Sequence, residues 1–114
     1  MRNLENGFLL RIIIGESDKY KGKPLYEQLV LKAREMGLAG ATAFRGIMGF
    51  GASSHLRFAK FLRLSEDLPV IIEIVDTEEH LKGFLEFVDE VVKEGIVTLE
   101  KVSVLKYKGR NSSF

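Results

Sequence analysis

The sequence predicts an α+β fold of the ferredoxin-like type, a βαββαβ sandwich with two helices on one face of a four-stranded antiparallel sheet. Two observations predict it: four segments are rich in β-branched and large apolar residues, and in two segments between them apolar residues recur at helical spacing. Their order is strand, helix, strand, strand, helix, strand. Because no internal repeat or linker divides the 114 residues, we expect residues 1–114 to form a single domain.

The N-terminal part of the chain predicts strand one and helix one. Strand one is FLLRIIIGE, Phe8–Glu16, and the polar segment SDKYKGK follows it. Pro24 suits the first turn of a helix, where its missing N–H costs nothing, and Gly37 suits the C-terminal cap. The apolar residues at helical spacing between them are Leu25, Leu29, Ala33 and Met36.

The other three strands lie in the second half of the chain. Strand two is predicted over Gly40–Met48 and strand three over Leu68–Asp76. Pro69 fits the start of strand three, where a ladder donor can be spared. The last strand is predicted over Ile96–Tyr107, and the polar tail KGRNSSF follows it.

Helix two is predicted between strands three and four. Asp76 or Thr77 can cap its N-terminus, since Glu79 lies three residues beyond Asp76 as a capping box requires. Gly95 is expected to end the helix. The apolar stripe that would face the core consists of Leu81, Phe84, Leu85, Val88 and Val92.

With both helices on one face, the other face of the sheet carries a mixture of apolar and charged side chains. A surface of this kind suits a protein–protein interface better than a core or a solvent face. We therefore expect self-association, and the alternative is a monomer with a modestly apolar open sheet. The residues concerned are Leu9, Arg11 and Ile13 in strand one and Ile71, Glu73 and Val75 in strand three.

Composition argues against several classes of function. The chain has no cysteine and only two histidines, so we expect neither disulfides nor a metal site. Its net charge is +1 with Lys and Arg spread along the chain, so we expect no nucleic-acid partner. No apolar run approaches the roughly 20 residues that span a bilayer. The first residues lack the apolar core of a signal peptide, so a cytoplasmic location is the default expectation.

Neither catalysis nor RNA binding has a clear candidate site. The loop after strand one lacks the arginine that acylphosphatases, which share this fold, carry there. Ser53 and Ser54 precede His55, but adjacency in sequence does not bring a nucleophile within reach of a base. Strand three has no aromatic residue on which an RNA base could stack. We therefore expect a protein that is not an enzyme.

The segment RGIMGFGASSH, Arg45–His55, is the candidate binding site. Glycines let a ligand approach backbone N–H groups, which can surround an anion, and the alternative is a flexible hairpin. Roughly twenty residues separate strands two and three, and compact domains seldom carry idle loops of that length. The basic residues Arg57, Lys60 and Arg63 follow, and they either bind something negative or form a solvated arm.

Three stretches, GLAGATAFRGIMGFGASSH, LRLSEDLPVIIEIVDTEE and GIVTLEKVSVLKY, resemble the PII-like family of uncharacterised proteins. These are distant relatives of the PII nitrogen-regulatory signal proteins, and the resemblance extends from Phe8 to about Tyr107. It implies a homotrimer that binds an adenine nucleotide (ADP, ATP or AMP) in clefts between subunits, with no obligatory cofactor. It also implies a mobile loop between strands two and three that contacts a target protein, such as a membrane transporter or an enzyme.

The resemblance also implies roles for individual residues. Residues 49–51 match the GFG at the base of the PII loop, where phosphates approach the backbone. Ser53 stands where PII proteins usually have glutamine, His55 roughly matches their loop histidine, and Lys106 matches one of two basic residues on the last strand. The implied nucleotide-binding residues are Arg45, Gly46, Met48, Gly49, Phe50, Gly51, Ser53, His55 and Lys106.

The sequence departs from PII proteins at two places. Val104 occupies the second basic position, and KEGIVTL makes a direct turn where PII proteins have a second glycine-rich loop. Arg11, Arg45 or the tail residue Arg110 could supply the missing charge. Arg45 is the preferred substitute, with a salt bridge to Glu73 as its alternative role. The alternative function is a trimeric interaction module that no longer binds nucleotide. An anion-handling enzyme would need a titratable group that the sequence does not identify.

Overall fold

The structure is a computed structural model that describes residues 5–51, 57–58 and 67–108. Four strands form one antiparallel sheet in the order β4-β7-β1-β8, and β2 with β3 and β5 with β6 form two-stranded ribbons. This order confirms the predicted ferredoxin-like fold. The elements are β1 (Glu5–Gly15), β2 (Lys19–Tyr20), β3 (Lys23–Pro24), α1 (Leu25–Glu35), β4 (Thr42–Arg45), β5 (Met48–Gly49), β6 (Arg57–Phe58), β7 (Pro69–Asp76), α2 (Glu78–Val91) and β8 (Ile96–Val104).

The core lies between the two helices and one face of the sheet. Every second residue of the central strands β1 and β7 points into it, because side chains alternate across a strand. Leu29 of α1 and Phe84 of α2 are fully buried against these strands. The buried strand residues are Leu10, Ile12, Ile14, Val70, Ile72 and Ile74.

The opposite face of the sheet has a polar row between two largely apolar ones. Residues paired across antiparallel strands share a face, so the register defines each row. Arg11 and Glu73 form an ion pair in the middle row, with 2.7 Å between Nη2 and Oε2. The middle row is Thr42, Glu73, Arg11 and Thr98, and the apolar row beside it is Phe44, Ile71, Ile13 and Ile96. The mixed face predicted from the sequence is therefore present.

The end of α1 and the start of α2 are capped at residues that the sequence predicted, and Thr77 is the one of the two expected caps that serves α2. After α1, the N–H groups of Gly37 and Leu38 donate to the carbonyls of Arg34 and Ala33, the Schellman pattern. Thr77 caps α2, since its hydroxyl accepts from the His80 N–H at 3.3 Å. The proposed Asp76 capping box is wrong, because the Asp76 side chain is fully buried and has other partners.

Strand two and helix two are shorter than predicted. β4 ends at Arg45 because its partner β7 begins at Pro69, whose carbonyl accepts the Gly46 N–H at 2.7 Å. Helix α2 ends at Val91, and Gly95 lies in the following turn instead of ending the helix. The last strand ends at Val104, which pairs with Glu5, the first residue of β1.

The polar segment after strand one contains a small hairpin that the sequence did not predict. Tyr20 pairs with Lys23 across a two-residue turn. Lys21 and Gly22 both have positive φ, 51° and 77°, which is the type I′ conformation of tight hairpins. The turn is a Lys-Gly pair instead of the usual Asn-Gly, so the sequence pattern indicated an ordinary loop.

Candidate functional site

A cleft of about 830 Å³ lies at the end of the sheet where β1 and β4 finish and β7 and β8 begin. This volume lies in the usual range for small-molecule sites. One wall is the glycine segment that follows β4, and the other is the turn between α2 and β8. The lining residues are Gly46, Met48, Gly49, Phe50 and Gly51 on the first wall, Lys93, Glu94 and Gly95 on the second, and Ile13, Ile14, Gly15, Asp18, Pro69, Ile71 and Ile96 between them.

The three glycines of the first wall have two different structural roles. A Cβ on Gly46 or Gly49 would lie 3.2 Å from Cγ of Pro69, so these two glycines let the segment pack against the start of β7. A Cβ on Gly51 would meet no atom of the described residues within 4 Å, and Gly51 is exposed. None of the three has φ in the left-handed region, so bending does not explain them. In the part of the chain that the structure describes, no side chain therefore covers the backbone at Gly51.

The mouth of the cleft is apolar. Ile47, Met48 and Phe50 have exposed fractions of 88%, 60% and 72%. Large apolar side chains this exposed next to a cleft mark a surface that a ligand or another protein can cover.

Arg45 is held by Glu16 and does not contact Glu73. Its Nε and Nη2 lie 2.6 and 2.5 Å from Oε2 of Glu16, and the hydrogen bond and charge of Glu16 raise the pKa of the guanidinium. Glu73 instead pairs with Arg11. The predicted Arg45–Glu73 alternative is therefore wrong. Arg45 does not line the cleft, but it immediately precedes Gly46, which does.

The other predicted site residues are distributed unevenly. Gly46, Met48, Gly49, Phe50 and Gly51 meet at one wall of the cleft. Lys106 follows the far end of β8, roughly 25 Å of strand away from Ile96, so it cannot reach this cleft in the same chain. Ser53, His55, Lys60 and Arg63 lie outside the described residues, and of Arg57 only the backbone is described.

The turn between α2 and β8 is the part of the site that sequence reasoning missed. Lys93, Glu94 and Gly95 form the second wall although this turn is too short for a second glycine-rich loop. A signal existed: β8 pairs antiparallel with β1, so its first residue, Ile96, must lie beside Ile13 near the end of β1. Lys93 is the basic side chain among the described lining residues.

Residues 5–51, 57–58 and 67–108 contain neither a candidate membrane span nor a candidate metal site. In that part of the chain neither helix is both long and apolar enough to cross a membrane. The same residues contain no group of three or more His, Cys, Asp or Glu side chains that could hold a metal ion.

Residues 7–104 match the model of DUF190, a family described as "Uncharacterized ACR". The chain belongs to this family. It is 44% identical over 97 residues to a UPF0166 protein of Aquifex aeolicus, covering 85% of this chain and 91% of that protein. It is 38% identical over 102 residues to a UPF0166 protein of Methanocaldococcus jannaschii, covering 89% and 92% of the two chains.

Solved structures of PII-like proteins are among the structural neighbours of this DUF190 protein. CPII, a nitrogen regulatory PII-like protein from Thiomonas intermedia K12, has been solved bound to ADP and bicarbonate, and that structure matches with a TM-score of 0.70, covering 93% of this chain and 95% of CPII. A second CPII structure, with ADP, AMP and bicarbonate, gives a TM-score of 0.65 over 93% and 94% of the chains. Identities are 19% and 22%, so the likeness establishes that this chain has the fold of PII-like proteins, as the sequence resemblance predicted.

Proposed function

We propose that this DUF190 protein is a non-enzymatic, PII-like regulatory protein that binds an adenine nucleotide at the cleft. The observation that carries the proposal is the glycine wall, with Gly51 uncovered, facing a lysine-bearing turn across a space of small-molecule size. The ADP and AMP in CPII, which shares the fold, support the choice of ligand class.

In this proposal the two walls have complementary tasks. The phosphates lie at residues 49–51, where glycine leaves the backbone accessible, and Lys93 supplies positive charge from the opposite wall. Three charge-assisted hydrogen bonds at about 1.5–3 kcal/mol each would approach the roughly 8 kcal/mol of micromolar binding. The apolar mouth around Phe50 suits a planar base.

The segment of residues 52–66 is the proposed relay to a target protein. It starts one residue after Gly51, so a ligand held at the glycine wall acts directly on its first residues. Ser53 and His55 are the proposed sensors within it. Nucleotide shifts the population of the segment towards a form that the target prefers or rejects.

The proposed assembly is a homotrimer in which other copies cover the open face of the sheet. The face carries one ion pair, Arg11–Glu73, and is otherwise largely apolar next to the cleft. A neighbouring subunit would also bring Lys106, which cannot reach the cleft of its own chain. Light scattering on the purified protein is expected to give about three times the 12.9 kDa of one chain. A mass of one chain at micromolar concentration would contradict the trimer.

Two substitutions of Gly51 test the phosphate position. We expect Gly51→Asp to weaken ADP binding at least about tenfold, because a carboxylate would face the phosphates. Gly51→Ala is the matched control and should bind within about threefold of wild type, because its Cβ enters open space. Calorimetric titration measures both. Equal affinities of the two variants for ADP would mean that the phosphates do not lie at Gly51.

A second candidate function is a trimeric interaction module that binds no nucleotide. The short turn at Lys93–Gly95 favours it, since that turn offers less backbone to a ligand than a glycine-rich loop would. Such a module would keep the trimeric mass and show no binding heat with any adenine nucleotide.

A further inference from the structure

The Arg45–Glu16 ion pair connects the last residue of β4 to the loop after β1 at the edge of the cleft. Both contacts of the guanidinium are to a single carboxylate oxygen, Oε2 of Glu16, at 2.6 and 2.5 Å. The Arg45 side chain keeps 62% of its surface exposed, whereas that of Glu16 keeps 20%. The arginine is therefore accessible to an incoming anion while its present partner is largely covered.

The loop that carries Glu16 is fixed independently of Arg45. The Glu16 N–H donates to the carbonyl of Leu68 at 2.8 Å, and the Ser17 N–H donates to Asp67 Oδ1 at 3.0 Å. Glu16 follows Gly15 in sequence as Arg45 precedes Gly46, and both glycines line the cleft. The backbone of Glu16 is thus fixed at the rim and its side chain is largely covered, so the more exposed guanidinium is the part of the pair that can change partner.

We propose that Glu16 is a specificity-determining residue that competes with the ligand's phosphate groups for Arg45. This rests on the function proposed above. The planar carboxylate and the tetrahedral phosphate group both accept hydrogen bonds from the N–H groups of a guanidinium. A carboxylate bound to Arg45 therefore occupies the position that a phosphate oxygen would take. A phosphate group that binds Arg45 must first displace Glu16.

The competition favours ligands with more phosphate charge. An ion pair with an exposed partner is worth only about 0–1 kcal/mol, so displacing it costs little. In this proposal a diphosphate has one phosphate group for residues 49–51 and a second for Arg45, whereas a monophosphate has one group for both tasks. Competition from Glu16 therefore lowers the affinity for a diphosphate less than the affinity for a monophosphate.

Glu16→Gln tests the competition by removing the charge while keeping the shape. We expect about fivefold tighter ADP binding by calorimetry, because the neutral amide releases Arg45. The double variant Glu16→Gln with Arg45→Gln should lose that gain. Glu90→Gln, an exposed position on α2, makes the same change in net charge and should leave the affinity unchanged. Glu16→Asp, whose shorter side chain reaches less far, should fall between wild type and Glu16→Gln.

The outcomes separate this inference from the proposed function. If wild type binds ADP and neither Glu16 variant binds it more tightly, the competition is overturned and the nucleotide site stands. If the same gain appears with Glu90→Gln, net charge explains it and the competition is also overturned. If wild type does not bind ADP but Glu16→Gln does, the competition is supported. If neither binds, both proposals fail.

Discussion

Gly95→Ala is expected to lower the free energy of unfolding by about 3 kcal/mol or more. Gly95 has φ of 132°, a conformation that residues with a Cβ rarely adopt. A Cβ there would overlap the backbone carbonyl oxygen of Ile13 and lie 3.1 Å from Cγ2 of Ile14. Strain and overlap add, because β1 is a central strand that cannot move aside without disturbing its pairing with β7 and β8. Urea unfolding followed by circular dichroism measures the loss.

Gly22→Ala is the matched control for Gly95→Ala. Gly22 also has positive φ, 77°, but a Cβ there would meet nothing within 4 Å. Only the conformational cost remains, about 1–2 kcal/mol. Equal losses for the two variants would mean that the turn after α2 does not pack against Ile13 as described.

Asp76→Ala is expected to cost about 3–5 kcal/mol, because each donor that loses a buried acceptor costs about 1–3 kcal/mol. The Asp76 carboxylate is fully buried, and Oδ2 accepts the Ala39 N–H at 2.8 Å. Its Oδ1 accepts the Thr77 N–H at 2.7 Å and lies 3.1 Å from Nδ1 of His80. Removing the carboxylate leaves these partly buried donors without their acceptor.

The consequence of Asp76→Ala should extend to the loop between α1 and β4. The Ala39 N–H is bound by Asp76, and the Ala39 carbonyl accepts from the Tyr107 hydroxyl, so this peptide segment joins the end of β7 to the chain beyond β8. Faster amide exchange at Ala39 would report the loss locally. Asp89→Ala, at an exposed position on α2, should change stability by less than about 0.5 kcal/mol. Similar losses for both variants would contradict the buried network.

The fold could be predicted because its strongest signals are local. The runs of β-branched and large apolar residues in β1 and β7 and the helical spacing of α1 and α2 are properties of short stretches, and the element order then leaves few topologies. The hairpin of β2 and β3 was missed because its turn depends on positive φ at Lys21, and a lysine in the sequence does not indicate positive φ. The sequence left Asp76 and Thr77 as alternative caps of α2, because a capping motif cannot show that the Asp76 side chain is buried.

The site could be predicted only in part. The glycine segment is contiguous, so its composition alone indicated a binding loop. The second wall comes from Lys93 and its neighbours, about 45 residues further along the chain, and it joins the site only through the pairing of β8 with β1. The partner of Arg45 likewise depends on packing: Glu16, 29 residues away in sequence, reaches it, whereas Glu73 on the adjacent strand is already paired with Arg11.

Calorimetric titration of the wild-type protein with ATP, ADP, AMP and cyclic AMP tests the central claim most directly. The protein should first be shown by light scattering to be a folded assembly. The account predicts saturable binding of at least one of these nucleotides with micromolar affinity. Absence of binding heat with all four would contradict it, and the glycine wall would then be a packing surface for the start of β7 in a protein that binds only other proteins.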